Sequence, residues 1–285
     1  MNKTDFLLRL KLQKGIGYVK MLRIASQLDT DDVNISAIQS MALPSALKEA
    51  SFAALNDQKA ERMIYRIKKQ CKVLTFFDSL YPEKLRQIYQ PPLILFARGD
   101  LTLLQREIIT IVGSRLATSY SKIVINNLVP SLVKKHLVIA SGLAKGVDGM
   151  AHTATLRNNG KTIAVVGNGL NHFYPMSNHG IQEKIVENGL LLSEYLPDTP
   201  PRPFRFPERN RILAGLSESV VVTEAKERSG SLITANLALQ ENRNVYAVPG
   251  PITSQLSAGT NKLIEAGADP IINFELKPER FDNSD

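Results

Sequence analysis

The segment 136-HLVIASGLAKGVDGMAHTATL-156 changes its periodicity midway. An apolar run, Leu137 to Ala140, ends in small residues and turns through Gly142 and Gly146. A helical spacing then takes over. Strand, glycine turn and helix form the unit from which parallel α/β sheets are built. A helix that starts directly after such a turn offers its first free N–H groups, and the positive end of its dipole, to whatever lies above the strand. Lys145 adds a full charge. The segment therefore predicts both a strand–helix unit and a corner that receives anionic oxygens.

The same alternation repeats outward from Glu107. The apolar runs "IITIVGS", "LVIASG", "TIAVVGN", "LLLSEY", "SVVVTEA", "NVYAVPG" and "PIINF" are separated, for the most part, by helical patterns at 119–134, 147–158, 231–241 and 260–267. The runs are apolar throughout rather than alternating, as expected of strands covered on both faces. This predicts a doubly wound, mostly parallel α/β sheet. Residues 1–70 read as helices, with Phe6, Leu7, Leu10, then Val19, Leu22, Ile24, Ala25 and Leu28 at helical spacing. The turn "KGIGYVK" between two of them fits a helix-hairpin-helix that meets phosphate, and fits a plain helix–helix corner equally. Residues 73–105 form a bridge with two strand-like runs, the second from Leu93 to Arg98, that could extend the neighbouring sheet.

The 285 residues suffice for one large domain and a small one. No long apolar run suggests a membrane span, and the N-terminus lacks the pattern of a signal peptide. One cysteine, Cys71, excludes an internal disulfide, and the four histidines show no metal-binding spacing. A cytoplasmic protein without metal or cofactor is expected. The net charge of +8 is unevenly spread: residues 1–104 hold 16 Lys+Arg against 10 Asp+Glu. The excess peaks at Lys59 to Lys72, "KAERMIYRIKKQCK", which reads as a solvated helix face or as a nucleic-acid contact surface.

In an open parallel sheet, ligands bind beyond the carboxyl ends of the strands, where strand order reverses. The residues following each run are Gly113-Ser114-Arg115, Ser141-Gly142-Leu143-Ala144-Lys145-Gly146, Gly167-Asn168-Gly169, Ser193-Glu194, Thr223-Glu224 and Pro249-Gly250. Most are small, which lets backbone N–H groups approach a ligand, and Arg115 and Lys145 carry charge. Phosphate fits this set. The P-loop pattern GxxxxGK[ST] does not occur, and "GNGLNH" (167–172) gives two of the three glycines of a dinucleotide fingerprint without its acid. Asp148 and His152, four apart on one helix, read as an acid–base pair or as a helix-start charge beside a packed histidine.

A second block runs from Pro203 to Gln240. Arg202, Arg205, Arg209 and Arg211 fall close together, with Phe204 and Phe206 interleaved. Arginine suits planar phosphate contacts. Alternating rings and cations suit an unpaired strand whose bases stack while its phosphates meet charges. The same residues also suit a helix start with the phenylalanines packed inward. "RSGSLIT" (228–234) makes a second anion-receiving turn, with Thr234 expected in the first turn of the next helix. Several phosphate sites along one edge fit an oligonucleotide better than a mononucleotide.

At these residues the chain resembles the bacterial DNA-processing protein A (DprA/Smf) family. The matching motifs are "VGSR" (112–115), "SGLAKGVDGMAH" (141–152), "FYP" (173–175), "FPERNRILAGLS" (206–217), "EAKERSGSLITA" (224–235) and "VPG" (248–250), in order across 107–270. The N-terminal part resembles the family only in its helical character. The resemblance implies an extended Rossmann-like domain over 73–285 beside a small helical domain over 1–72, SAM-like or helix-hairpin-helix-like. It implies binding of single-stranded DNA, a homodimer formed through the Rossmann-like domain, protection of incoming DNA and loading of RecA during natural transformation, with no chemical step. By motif position it implies that Gly113, Ser114 and Arg115 hold a phosphate, and that Ser141, Gly142, Lys145 and Gly146 form the neighbouring pocket with Asn168 on the rim. Arg209, Asn210 and Arg211 would line the groove or anchor the fold, and Ser229, Gly230 and Ser231 would close it. Many relatives carry a C-terminal winged helix; the chain closes on "FELKPERFDNSD" (274–285), where none is expected. The rival reading is an enzyme, a nucleotide phosphoribohydrolase of the lysine decarboxylase-like type. That type needs a PGGxGTxxE loop, whereas "EAKERSGSLITA" has one glycine in the turn and no such acid.

Overall fold

The computed structural model describes residues 1–276; residues 277–285, and with them most of the closing segment quoted above, lie outside the described residues. Five helices open the chain: α1 (Lys3–Leu12), α2 (Tyr18–Ala25), α3 (Ile35–Ser40), α4 (Ser45–Asn56) and α5 (Gln58–Gln70). Side-chain caps fix three of their starts. Asn2 accepts from the Asp5 N–H, Asn34 from the Ala37 N–H, and Asp57 from the Lys59 and Ala60 N–H groups, each satisfying donors that the helix itself cannot. The Gly-Ile-Gly corner joins α1 to α2 with Gly15 at φ +84° and Gly17 as the N-cap. Helix α5 buries Ala60, Ile64 and Ile67 and turns its charged face outward.

The bridge supplies β1 (Lys72–Thr75), the short helix α6 (Glu83–Arg86) and β2 (Ile94–Gly99). As the sequence suggested, these strands extend the sheet: β1 pairs antiparallel with β2, and β2 antiparallel with a later strand, β6 (Leu190–Ser193).

From residue 108 strands and helices alternate: β3 (Ile108–Val112), α7 (Ser119–Lys134), β4 (Val138–Ser141), α8 (Val147–Arg157), β5 (Thr162–Val166), α9 (His179–Asn188), β6, α10 (Arg205–Leu216), β7 (Ser219–Val222), α11 (Gly230–Gln240), β8 (Asn244–Ala247), α12 (Ala258–Glu265) and β9 (Asp269–Pro270). They form a Rossmann-like α/β fold with strand order β1-β2-β6-β5-β4-β3-β7-β8-β9, parallel from β6 to β9. "PIINF" yields a shorter strand than its apolar pattern predicts. Pro270 has no N–H for a ladder, so pairing at this edge ends after the Ile271 N–H bonds to the Ala247 carbonyl at 3.0 Å.

Alternate residues of each central strand feed two different cores. Ile109, Ile111, Ile139 and Val221 pack with α7 and α8, while Ile108, Val112, Val138, Val220 and Val222 pack with α10 and α11. That is why the runs read as unbroken apolar stretches. The N-terminal helices cover the sheet at the β2–β6–β5 end: Phe6, Leu10, Ile24 and Ile38 share one cluster with Phe96, Ala164, Val166 and Leu191. The switch from helix to strand falls at Cys71, but the apolar core runs across it. Strand β3 is the topological centre, with β4 on one side and β7 on the other. Strand order reverses there, so the ends of β3 and β7 leave a crevice between the turns that follow them.

Candidate nucleic-acid interface

That crevice is open, with a volume of about 530 Å³. Gly113, Ser114 and Arg115 line it from the end of β3, and Ser229, Gly230 and Ser231 from the start of α11. Arg209, Asn210, Phe206 and Pro207 come from α10 between them. The turn after β3 and the second anion-receiving turn inferred from sequence therefore face one space, whereas the first, Ser141 to Gly146, reaches it only through Ala144.

The Arg115 side chain is exposed, its guanidinium carbon 5.8 Å from the centre of the Phe206 ring. Phe206 in turn stacks on Tyr174, with centroids 5.2 Å apart and planes at 26°. Across the crevice, Lys226 and Arg228 are exposed and line the same space. Sequence reasoning missed both: it weighed the small residues of "RSGS" for backbone approach and passed over the cations flanking them. The intervening Glu227 is held by Lys262 at 2.9 Å, which leaves its neighbours as the charges presented here. Helix α11 begins without a side-chain cap, because the Ser229 and Ser231 hydroxyls bond each other at 2.8 Å. The Leu232 N–H donates to the Ser229 carbonyl at 3.2 Å, while the Gly230 and Ser231 N–H groups, without a bond among the described residues, keep their capacity for an anion. A Cβ at Gly230 would meet open space. Thr234 lines the crevice from the second turn of α11, one turn later than expected, and is buried.

The other expected contacts lie elsewhere, and most are occupied by the fold. Ser141 is fully buried and donates to the Ile111 carbonyl at 2.6 Å. Asn168 is buried and donates to the Gly169 and His172 carbonyls, both at 3.0 Å. Arg211 holds both Glu194 oxygens, at 2.7 and 2.8 Å, and lies away from the crevice. Lys145 is exposed but does not line the crevice. Arg209 lines its base, yet the side chain is buried and donates to the Gly142 carbonyl at 2.7 Å, to the Val165 carbonyl and to Asn210 Oδ1. Burial lowers its pKa to about 10, an effect that the charge of Asp148 opposes. Arg209 therefore ties the ends of β4 and β5 to α10, the anchoring alternative of the sequence reading.

Two glycines owe their identity to this packing rather than to a ligand. A Cβ on Gly142 would fall 2.4 Å from the Arg209 guanidinium. Gly146 sits at φ +77°, and a Cβ there would lie 2.3 Å from the Ser114 carbonyl oxygen. The Val147 N–H at the start of α8 donates to that carbonyl at 3.2 Å. The Gly142–Gly146 turn therefore braces the Ser114–Arg115 loop from behind. A second brace was not foreseen: buried Glu224 accepts from the Thr118 N–H at 2.9 Å, the Thr118 hydroxyl at 2.8 Å and the Ser121 hydroxyl at 2.6 Å.

Asp148 and His152 do lie on one helix, and both are buried. His152 Nδ1 is 2.7 Å from the Thr162 hydroxyl, which itself donates to the Ile139 carbonyl at 2.6 Å. The single hydroxyl proton is thus used, so Nδ1 carries a proton and donates. Burial drives the imidazole pKa down to about 3, so the ring is neutral and packed. Asp148 accepts from the Ala144 N–H at 3.3 Å, and burial raises its pKa. The geometry fits the helix-start charge and the packed histidine. Among the described residues no helix is long and apolar enough to cross a membrane.

Comparison with known proteins supplies the remaining facts. The family model described as DNA recombination-mediator protein A matches residues 72–281. The DNA processing protein DprA of Bacillus subtilis is 47% identical over 205 residues, which cover 70% of this chain and 69% of the relative. The X-ray structure of DNA processing protein A from Streptococcus pneumoniae superposes with a TM-score of 0.84 at 37% identity, covering 95% of each chain. A Helicobacter pylori DNA processing protein A, whose structure concerns its single-stranded DNA binding mode, superposes with a TM-score of 0.65 at 34% identity, covering 72% of this chain and 93% of that one.

Proposed function

The chain belongs to the DNA recombination-mediator protein A family, and on that premise we propose that it binds single-stranded DNA without sequence preference along the rim of its sheet. The observation carrying this reading is the crevice at the β3–β7 switch point, where Arg115, Lys226 and Arg228 surround a ring and an uncapped helix start. Cations and first-turn N–H groups take phosphates, which are common to every sequence. Phe206, half-buried, and Tyr174, 43% exposed, form an aromatic step beside them. Bases of an unpaired strand can stack on such rings, and every base has a face to stack with. The Helicobacter pylori relative's single-stranded DNA binding supports the same reading.

The test is a titration of labelled homopolymers against increasing salt. With three or four cations engaged, log K is expected to fall against log[salt] with a slope of roughly −2 to −3, about 0.7 per phosphate. Oligothymidylate, oligocytidylate and oligoadenylate should bind within about an order of magnitude of one another. A sharp consensus, or tighter binding of duplex, would overturn the proposal. It contains no chemical step, and release of adenine from AMP would count against it.

The proposal extends to two further roles of the family resemblance: delivery of the covered strand to RecA during natural transformation, and pairing of two copies through the α/β layer. Filaments of RecA starting on strands coated with this protein would check the first. For the second, β9 ends the sheet as an edge, and Ile252 and Ile272, in the segments after β8 and β9, are 94% and 68% exposed. Apolar surface beside a sheet edge is what a second copy would cover. Substitution of Ile252 and Ile272 by lysine is expected to leave a folded monomer in sedimentation; an unchanged dimer would move the interface elsewhere.

A further inference from the structure

The crevice absorbs none of the basic excess in the first third of the chain. That excess gathers on α5. Arg62, Tyr65, Arg66 and Lys69 fall at i, i+3, i+4 and i+7, which brings them onto one face of the helix. All four are exposed, Tyr65 to 64%, and the Lys69 ammonium lies 5.5 Å from the Tyr65 ring centre. The opposite face, Ala60, Ile64 and Ile67, is buried in the helical layer. Neighbouring charges have partners: Lys68 pairs with Asp5, and Arg9 lies 3.7 Å from Glu61. Arg62, Arg66 and Lys69 form no ion pair among the described residues. Like charges stacked at this spacing cost a folded helix a few tenths of a kcal/mol per pair, a cost that an external polyanion would offset.

The position of α5 identifies which polyanion. Its last residue, Gln70, accepts from Asn171 Nδ2 at 3.1 Å through its side chain, and from Arg98 Nε at 3.1 Å through its carbonyl. Arg98 also donates to the Leu170 carbonyl at 2.9 Å. Asn171 belongs to the loop after β5, on the sheet rim that holds the crevice. Three residues on, the same loop presents Tyr174, which stacks on Phe206 beneath Arg115. One loop thus connects the crevice to the C-terminal end of the stripe. We propose that α5 is a second contact surface for the strand bound in the crevice, with Arg62, Arg66 and Lys69 meeting phosphates and Tyr65 offering a stacking face. The inference rests on the crevice being the primary single-strand site.

The experiment compares the unmodified full chain with an Arg62→Gln/Arg66→Gln/Lys69→Gln variant, using labelled oligothymidylates of roughly 6 and roughly 30 nucleotides, lengths chosen around the site size of single-strand grooves. The long strand should bind the variant about 10–100-fold more weakly near 0.1 M salt, with its salt slope reduced by about 2, that is 0.7 for each of three lost phosphates. The short strand should bind within about twofold, since the crevice alone holds it. An unchanged long-strand affinity, or equal weakening at both lengths, would overturn the inference. So would capture of polyglutamate by the stripe in place of the long strand. Short-strand affinity left unchanged by Arg115→Ala/Lys226→Ala/Arg228→Ala would instead refute the crevice, so the two failures are distinguishable.

Discussion

An Arg115→Ala/Lys226→Ala/Arg228→Ala variant is expected to bind oligothymidylate about a thousandfold more weakly than the parent, a loss of roughly 4 kcal/mol. Each charged contact is worth about 1.5–3 kcal/mol, and three that share one crevice add incompletely. Arg115→Ala alone should account for about 1–3 kcal/mol of the loss. The salt dependence gives an independent measure: removing three phosphate partners should flatten the log–log slope by about 2. The fold should not suffer, because all three side chains are exposed at the crevice mouth and the two serine-rich and glycine-rich turns keep their own backbone contacts. Surface changes of this kind usually stay within about 0.5 kcal/mol. Anisotropy titrations at three salt concentrations, with a thermal melt of each protein, provide both readings. A variant that keeps its affinity within about threefold would remove the phosphates from this crevice.

How much of this was legible in the sequence depends on the kind of residue. The strands were legible because each is apolar on both faces, and the helices between them kept their spacing; helix α7 spans Ser119–Lys134, as its pattern predicts. The crevice was legible as a place, since ligands gather at switch points and the small residues after β3 and β7 mark the turns. The division of labour among the polar residues was not. Arg115 and Arg209 look alike in a sequence, but one stands in solvent and the other lies under Gly142, and only the packing of α10 across β4 and β5 separates them. Likewise Gly146 and Gly230 both read as ligand-facing. Gly146 is jammed against the Ser114 carbonyl, while Gly230 faces open space. Glu224 and Ser141 read as rim residues, but their buried bonds run to Thr118 and Ser121 and to Ile111, partners far away in sequence. Lys226 and Arg228 could have been found from the string alone, by counting charge beside each glycine turn as well as within it.

The difference between the two arginines makes the last expectation the sharpest. Arg209→Met should destabilise the protein by roughly 3–5 kcal/mol, because the change removes a buried cationic donor while leaving its acceptors in place. The Gly142 and Val165 carbonyls lose their partner, and Asp148 loses the cation that most opposes its desolvation. At about 2–4 °C per kcal/mol, the melting temperature should fall by roughly 10 °C. Asp148 also sets the sign of a pH effect. Its folded pKa already stands above the unfolded value, and without Arg209 it rises further. An acid with a raised folded pKa contributes stability below its unfolded pKa and loses it as pH climbs through the folded one. The deficit of the variant should therefore be smaller near about pH 5 than near about pH 8. At low temperature, where the variant remains folded, its affinity for oligothymidylate should fall by much less than that of the crevice variant. Should Arg209→Met melt like the parent and yet fail to bind the strand, Arg209 would be a phosphate contact after all, and the network beneath the turn would have no structural weight.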